Sequence, residues 1–305
     1  EDVPALVADS LRVLATAASD GDGASRLRGL SLAEVTVIAS ALPEHRSEET
    51  GIVALLVLQR LRELLAGGAA ANIDLAVVSA ISAAKALQVD TPAGKDVLRE
   101  VLSSLGDHAA ASSGARQDAG FAAGSPVGSL STEMRAQLLR LWLETCQHEQ
   151  LSQGGTVANV SDVPAWLKDL ATRLTPQMSQ LQSCILAELA VAFANTKLEL
   201  DTSLVEALQT TVESRPESFS VREFADISAA LAVLGVLDHT LLHAFDIEAC
   251  LANAIQPSDF AKLAWSMIVA DVQSPLAWTL VASRLETCHG QLNGLSRKER
   301  SYLYE

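Results

Sequence analysis

His239 and His243 stand four residues apart in Asp238-His-Thr-Leu-Leu-His243-Ala-Phe-Asp246, a spacing that sets two imidazoles on one helical face where a divalent metal can be held. The segment lacks the glutamate of a zincin helix, and Asp238 sits where an N-cap is needed. The expectation is therefore a capped surface helix without a metal; Cys288-His289 would have to fold back to complete a site. Cys146, Cys184, Cys250 and Cys288 contain no C-x-x-C pair, and each lies in an apolar or helical context, which predicts buried free thiols in a reducing compartment. No G-x-x-x-x-G-K-[ST], no G-x-G-x-x-G and no G-x-S-x-G occurs. Gly67-Gly68 and Gly154-Gly155 have neither a lysine nor a phosphate-binding helix after them. These features point away from an enzyme, and neither a cofactor nor a small-molecule substrate is expected.

The remaining chemistry is charge. The 305 residues carry 22 Lys+Arg against 37 Asp+Glu, a net charge of −15. Residues 199–271 hold twelve acidic side chains against Arg215, Arg222 and Lys262. Binding along a nucleic-acid backbone relies on cations, and single-strand binding adds aromatic platforms, but aromatics make up only 4% of the chain. Trp265 and Trp278 are expected to pack between helices. One locally basic element exists, Arg297-Lys298-Glu-Arg300 with Arg284 upstream, so Arg284, Arg297, Lys298 and Arg300 are the candidate RNA contacts. The acidic faces suit basic protein partners.

Hydrophobic residues reach 49% with few aromatics, a mixture dominated by Ala, Leu and Val that suits packed helices and argues against an all-β fold. The run Gly51–Leu58 meets Gln59 and Arg60 well short of the roughly 20 apolar residues that span a bilayer. The helices repeat. Leu186-Ala-Glu-Leu189-Ala-Val-Ala-Phe193 aligns with Phe224-Ala-Asp-Ile227-Ser-Ala-Ala-Leu231 and with Phe260-Ala-Lys-Leu263-Ala-Trp-Ser-Met267, at offsets of 38 and 36 residues. Large residues recur at positions one, four and eight of the motif, one face of a helix, with Ala and Ser where a neighbour approaches. Looser copies begin at Leu32 and Leu75, 43 residues apart, followed by second helices near 51–65 and 92–105.

Cap signals divide each unit into two helices. Asp201 and Asp238 precede second helices, Ser274-Pro275 does the same, and Ser220 and Ser258 precede first helices, with Glu223 completing a capping box. The segment 106–130 is rich in Gly, Ala and Ser and reads as a flexible linker or insertion; 21–29 and 153–159 are shorter breaks. The expected organisation is an all-α chain forming an α-solenoid of stacked helical hairpins: loose repeats over 1–105, the linker over 106–130, and a C-terminal array over 131–305 that includes a helix near 134–148 ahead of the break at 153–159.

With its apolar-Ala-x-Leu/Ile-small pattern, best expressed in Leu263-Ala264-Trp265-Ser266-Met267, the unit resembles the repeats of octotricopeptide and heptatricopeptide repeat proteins and of FAST-kinase-like or RAP-domain proteins. The segment Leu295–Glu305 is similar to the helix preceding the RAP domain in such proteins; the RAP domain is not within this sequence, so its RNA contacts are not carried over. The resemblance implies a non-enzymatic protein of a mitochondrion or plastid. It would serve RNA metabolism or mitochondrial ribosome assembly as an RNA-associated scaffold, with organellar RNA or ribonucleoprotein as partner. The competing expectation is an acidic protein-protein scaffold in an organellar complex without RNA contact. Because the first residue is Glu1 rather than Met, a processed product or a part of a longer chain is expected, from which any targeting peptide would already be missing.

Overall fold

The computed structural model describes residues 29–42, 48–67, 73–87, 92–114, 130–152, 164–196, 202–254 and 256–287. Among them every regular element is helical, thirteen α-helices with two short 3-10 turns and no strand. The helices are α1 (Leu32–Ser40), α2 (Glu48–Ala66), α3 (Ile73–Ala86), α4 (Pro92–Gly114), α5 (Thr132–Ser152), α6 (Ala165–Leu174) and α7 (Ser183–Thr196). They continue with α8 (Thr202–Ser214), α9 (Val221–Val233), α10 (His239–Ala244), α11 (Ile247–Asn253), α12 (Pro257–Val269) and α13 (Pro275–Thr287). Two compact units divide between Leu170 and Ala171. None of the described helices is long and apolar enough to cross a membrane.

In the second unit the repeated motif forms the core. Its large residues, Leu186, Leu189 and Phe193 in α7, Phe224, Ile227 and Leu231 in α9, and Phe260, Leu263 and Met267 in α12, are all buried. The small residues between them let α7 pack on α9, and α9 on α12, as a row of first helices. Second helices pack more sparsely beside this row, α8 on α10 and α11 on α13. The first unit repeats the arrangement: α1 packs on α3, and α2 on both α3 and α4.

Polar ties recur between neighbouring first helices. Thr36 and Ser79 share a hydroxyl hydrogen bond of 2.8 Å between α1 and α3, and the Ser266 hydroxyl donates to Ser228 at 3.2 Å between α12 and α9. Capping boxes open α1 and α9 alike, with Ser31 paired to Glu34 and Ser220 to Glu223. The Ser31 N–H and hydroxyl hold the Glu34 carboxyl below the usual glutamate range. An arginine from each of three second-helix segments returns to the carbonyl just ahead of its own first helix. Arg60 donates through Nε and Nη2 to Leu30 at 3.1 and 2.9 Å, and Arg215 and Arg284 each donate through Nη2, to Leu181 and Ala254, at 2.6 Å. These bonds close hairpins across some thirty residues of chain, and they join charged donors to carbonyls at strategic helix starts.

Several expectations change. The first part of the linker expected over 106–130 is helical, because α4 runs on to Gly114. Gly106 is a contact rather than a breaker: a Cβ there would lie 2.2 Å from the Trp166 Nε1. Helix α5 packs on α3 and α4, so residues 132–152 belong with the first unit and not with a C-terminal array. The single helix expected after Asp238 is two, separated by Asp246 in the left-handed region at φ 49°. Ser258 is not a cap, since Pro257 takes the first helical position after Gln256 and no side chain caps α12. Asp238 and Ser274 do cap, accepting from Leu241 N at 3.0 Å and Ala277 N at 3.2 Å. Asp201, most of 115–130 and the breaks at 21–28 and 153–159 lie outside the described residues.

Candidate functional site

Of the four candidate RNA contacts, only Arg284 is among the described residues; Arg297, Lys298 and Arg300 lie outside them. Arg284 is half-buried and held on the Ala254 carbonyl, so its guanidinium helps close its own hairpin. Other cations are engaged in the same way. Arg62 pairs with Glu100 at 2.6 Å, Arg140 with Glu144 at 3.7 Å, and Arg99 with Asp96 and the Thr145 carbonyl. In the second unit Lys262 pairs with Asp226 at 2.6 Å across α12 and α9, one repeat apart, while Arg215 holds Leu181. Two of the three cations within the acidic stretch 199–271 are therefore committed to the fold, and Arg222 is the exposed one.

Acidic groups surround them. Asp259, buried at the start of α12, has its carboxyl pushed above the usual aspartate range by burial; Lys262 opposes that shift, Asp226 adds to it, and Arg222 opposes it again. Exposed carboxylates include Glu206, Glu217, Asp246 and Asp271. His239 and His243 are both exposed with ring centroids 6.3 Å apart and edge to face. Among the described residues no three His, Cys, Asp or Glu side chains gather as a metal site. Cys184 is exposed rather than buried, Cys146 is intermediate and Cys250 is buried; Cys288 lies outside the described residues. Trp265 is half-buried, while Trp278 lies at the surface with its Nε1 donating to the Val272 carbonyl at 2.8 Å.

A concavity in the second unit opens between the turn leading into α9 and the break between α10 and α11. Its volume is about 280 Å³. Phe224 and Phe245 stack with centroids 3.8 Å apart and planes within 7°, and Phe219 tilts against Phe245 at 5.7 Å. The Cys250 thiol donates to the Phe245 carbonyl at 3.2 Å; burial first, and the charge of Asp246 second, push its pKa up to about 11. Nothing in the sequence marks this cavity, because the break that creates it is made by Asp246, a residue ordinarily read as a cap. Asp246 does cap, accepting from Ala249 N at 3.3 Å, but from a left-handed backbone that ends α10.

No protein-family model matches the chain, and no curated protein matches it.

Proposed function

We propose that this chain is a non-catalytic helical-repeat scaffold of an organellar ribonucleoprotein, serving RNA metabolism or mitochondrial ribosome assembly, and that basic proteins dock on its acidic C-terminal unit. The observation that carries this reading is the disposition of the cations: Arg215, Lys262 and Arg284 are bonded to carbonyls or carboxylates of their own unit, while Glu206, Glu217 and Asp271 face outward. Such a surface attracts and steers cationic partners. The rows of packed first helices are what an α-solenoid of stacked hairpins requires, an architecture whose faces suit extended partners. Placement in a mitochondrion or plastid rests on the resemblance of the repeat to organellar repeat proteins.

Direct RNA contact is the second reading, favoured by the run Arg297-Lys298-Glu-Arg300. Both are tested with the full chain and its Arg297→Ala/Lys298→Ala/Arg300→Ala variant, titrated with pooled single-stranded RNA and with a purified ribosomal protein of high pI. The expected result is salt-sensitive binding of the basic protein by both forms. RNA binding, where it occurs, should have a log-log salt slope no steeper than about −2, as three phosphate contacts on a single strand give, and should vanish in the variant. Failure to bind the basic protein sinks the scaffold reading. RNA binding that survives in the variant replaces it with an array that contacts RNA along its length.

A further inference from the structure

We infer that the cavity between the α8–α9 turn and the α10–α11 break receives an arginine side chain from a basic partner, a deepening that rests on the scaffold reading above. At about 280 Å³ it falls below the roughly 300–1,000 Å³ of pockets that enclose small molecules, and matches one side chain better than a cofactor. Its lining contains two carboxylates, Glu217 and Asp246, and no basic residue. Glu217 is exposed and makes no hydrogen bond or ion pair among the described residues, so its charge is available to a ligand. The negative potential of Asp246 extends inward, since it reaches the buried thiol of Cys250.

The wall opposite is aromatic. Phe219 and Phe245 are half-buried and present ring surface, with Phe224 fully buried behind Phe245. A flat cation with an apolar stem fits such a site: the guanidinium stacks on a ring face while its N–H groups meet the carboxylates, and the methylenes lie along Val221 and Ala244. Phe219 already receives such a group, as the Arg215 guanidinium carbon stands 6.0 Å from its ring centroid. An ammonium, compact and strongly hydrated, would use the carboxylates but gain less from the rings.

The test titrates the full chain with labelled oligo-arginine and oligo-lysine peptides of equal length at fixed salt. Oligo-arginine is expected to bind more tightly. The Glu217→Gln/Asp246→Asn variant, which keeps both side-chain shapes and an Asn tolerated in the left-handed conformation, should lose roughly tenfold in affinity for it. A Glu133→Gln/Glu206→Gln variant, with the same change in charge at exposed positions elsewhere, should lose far less. Phe219→Leu, which keeps apolar bulk without a ring, should erase the preference for arginine over lysine. Equal losses in the two charge variants, or a preference untouched by Phe219→Leu, would overturn the cavity as the site while leaving the acidic scaffold standing. Absence of binding by either peptide to the unaltered chain would remove the scaffold reading and this site together.

Discussion

Second helices in the first unit run unbroken, 19 residues in α2 and 23 in α4, whereas the middle hairpin of the second unit answers with α10 and α11, of six and seven residues on either side of Asp246. First helices differ much less. In both units they bury small residues, Ala39, Ala76 and Ala80 in one and Ala190, Ala225 and Ala264 in the other, and a hydroxyl pair joins one copy to the next. The large residues of the motif are all buried only in the second unit, Leu75 and Val78 being half-buried. The row of first helices thus sets the spacing of each unit, and the second helices are free to diverge. The aromatic cavity lies where one of them has diverged most.

The largest test of that division is Phe224→Ala. Phe224 is fully buried in α9 and stacked on Phe245, so its removal should cost about 3–5 kcal/mol in chemical denaturation. Hydrogen exchange should then show protection lost in α7, α9 and α12 while α1 to α4 keep theirs. Equal loss in both units would mean that they unfold as one, and the comparison between them would fall.

Next come the arginine ties. Arg60→Lys removes a two-donor guanidinium contact, and Arg215→Lys a single Nη2 bond, from the carbonyl ahead of a first helix, and each should cost about 1–2 kcal/mol because a lysine at the same position cannot reproduce the guanidinium geometry. Similar losses measured by urea titration would show that the two units share this device. A loss confined to one would make the tie an incidental contact in the other.

The smallest effect sharpens a comparison within the second unit. Helices α9 and α12 end in the same way, with the N–H groups of Gly235 and Val236 donating to Ala232 and Leu231, and those of Asp271 and Val272 donating to Ile268 and Met267. The left-handed position is Gly at φ 72° in the first case and Asp at φ 51° in the second. Asp271→Gly should therefore stabilise the chain by up to about 1 kcal/mol, read as a raised Tm, by relieving a Cβ in a region that disfavours it. No gain would show that the Asp271 side chain, which accepts from Gln273 at 2.6 Å, repays that strain locally.

The row of first helices is legible in the sequence because burial there follows a helical period at nearly constant spacing, so Leu186, Phe224 and Phe260 announce one another. Caps are legible where a hydroxyl or carboxylate meets no competing signal, as at Ser220, Asp238 and Ser274. At Ser258 the preceding proline is the stronger start, and the helix begins two residues earlier than a Ser258 cap would set it. Gly106 misleads for a different reason: glycine marks a break and a close approach with the same letter, and only the position of Trp166 distinguishes them. Of the candidate contacts, Arg284 alone lies among the described residues. That Arg284 serves the Ala254 carbonyl, thirty residues away, is a property of the folded hairpin with no local trace. The cavity is hidden likewise, since Phe219, Phe224 and Phe245 meet only after Asp246 has turned the chain.

Cys250 and Cys184 lie in the same unit under opposite conditions, one shut in beside Phe245 and protonated up to about pH 11, the other open to solvent. Alkylating reagents attack the thiolate, so Cys250 can react only when the α10–α11 segment opens and rehydrates it. With Cys146 and Cys288 replaced by serine, the chain becomes its own stopwatch. The faster thiol times the reagent, the slower one times the opening, and their ratio reports how often this corner of the molecule comes apart while the rest stays folded.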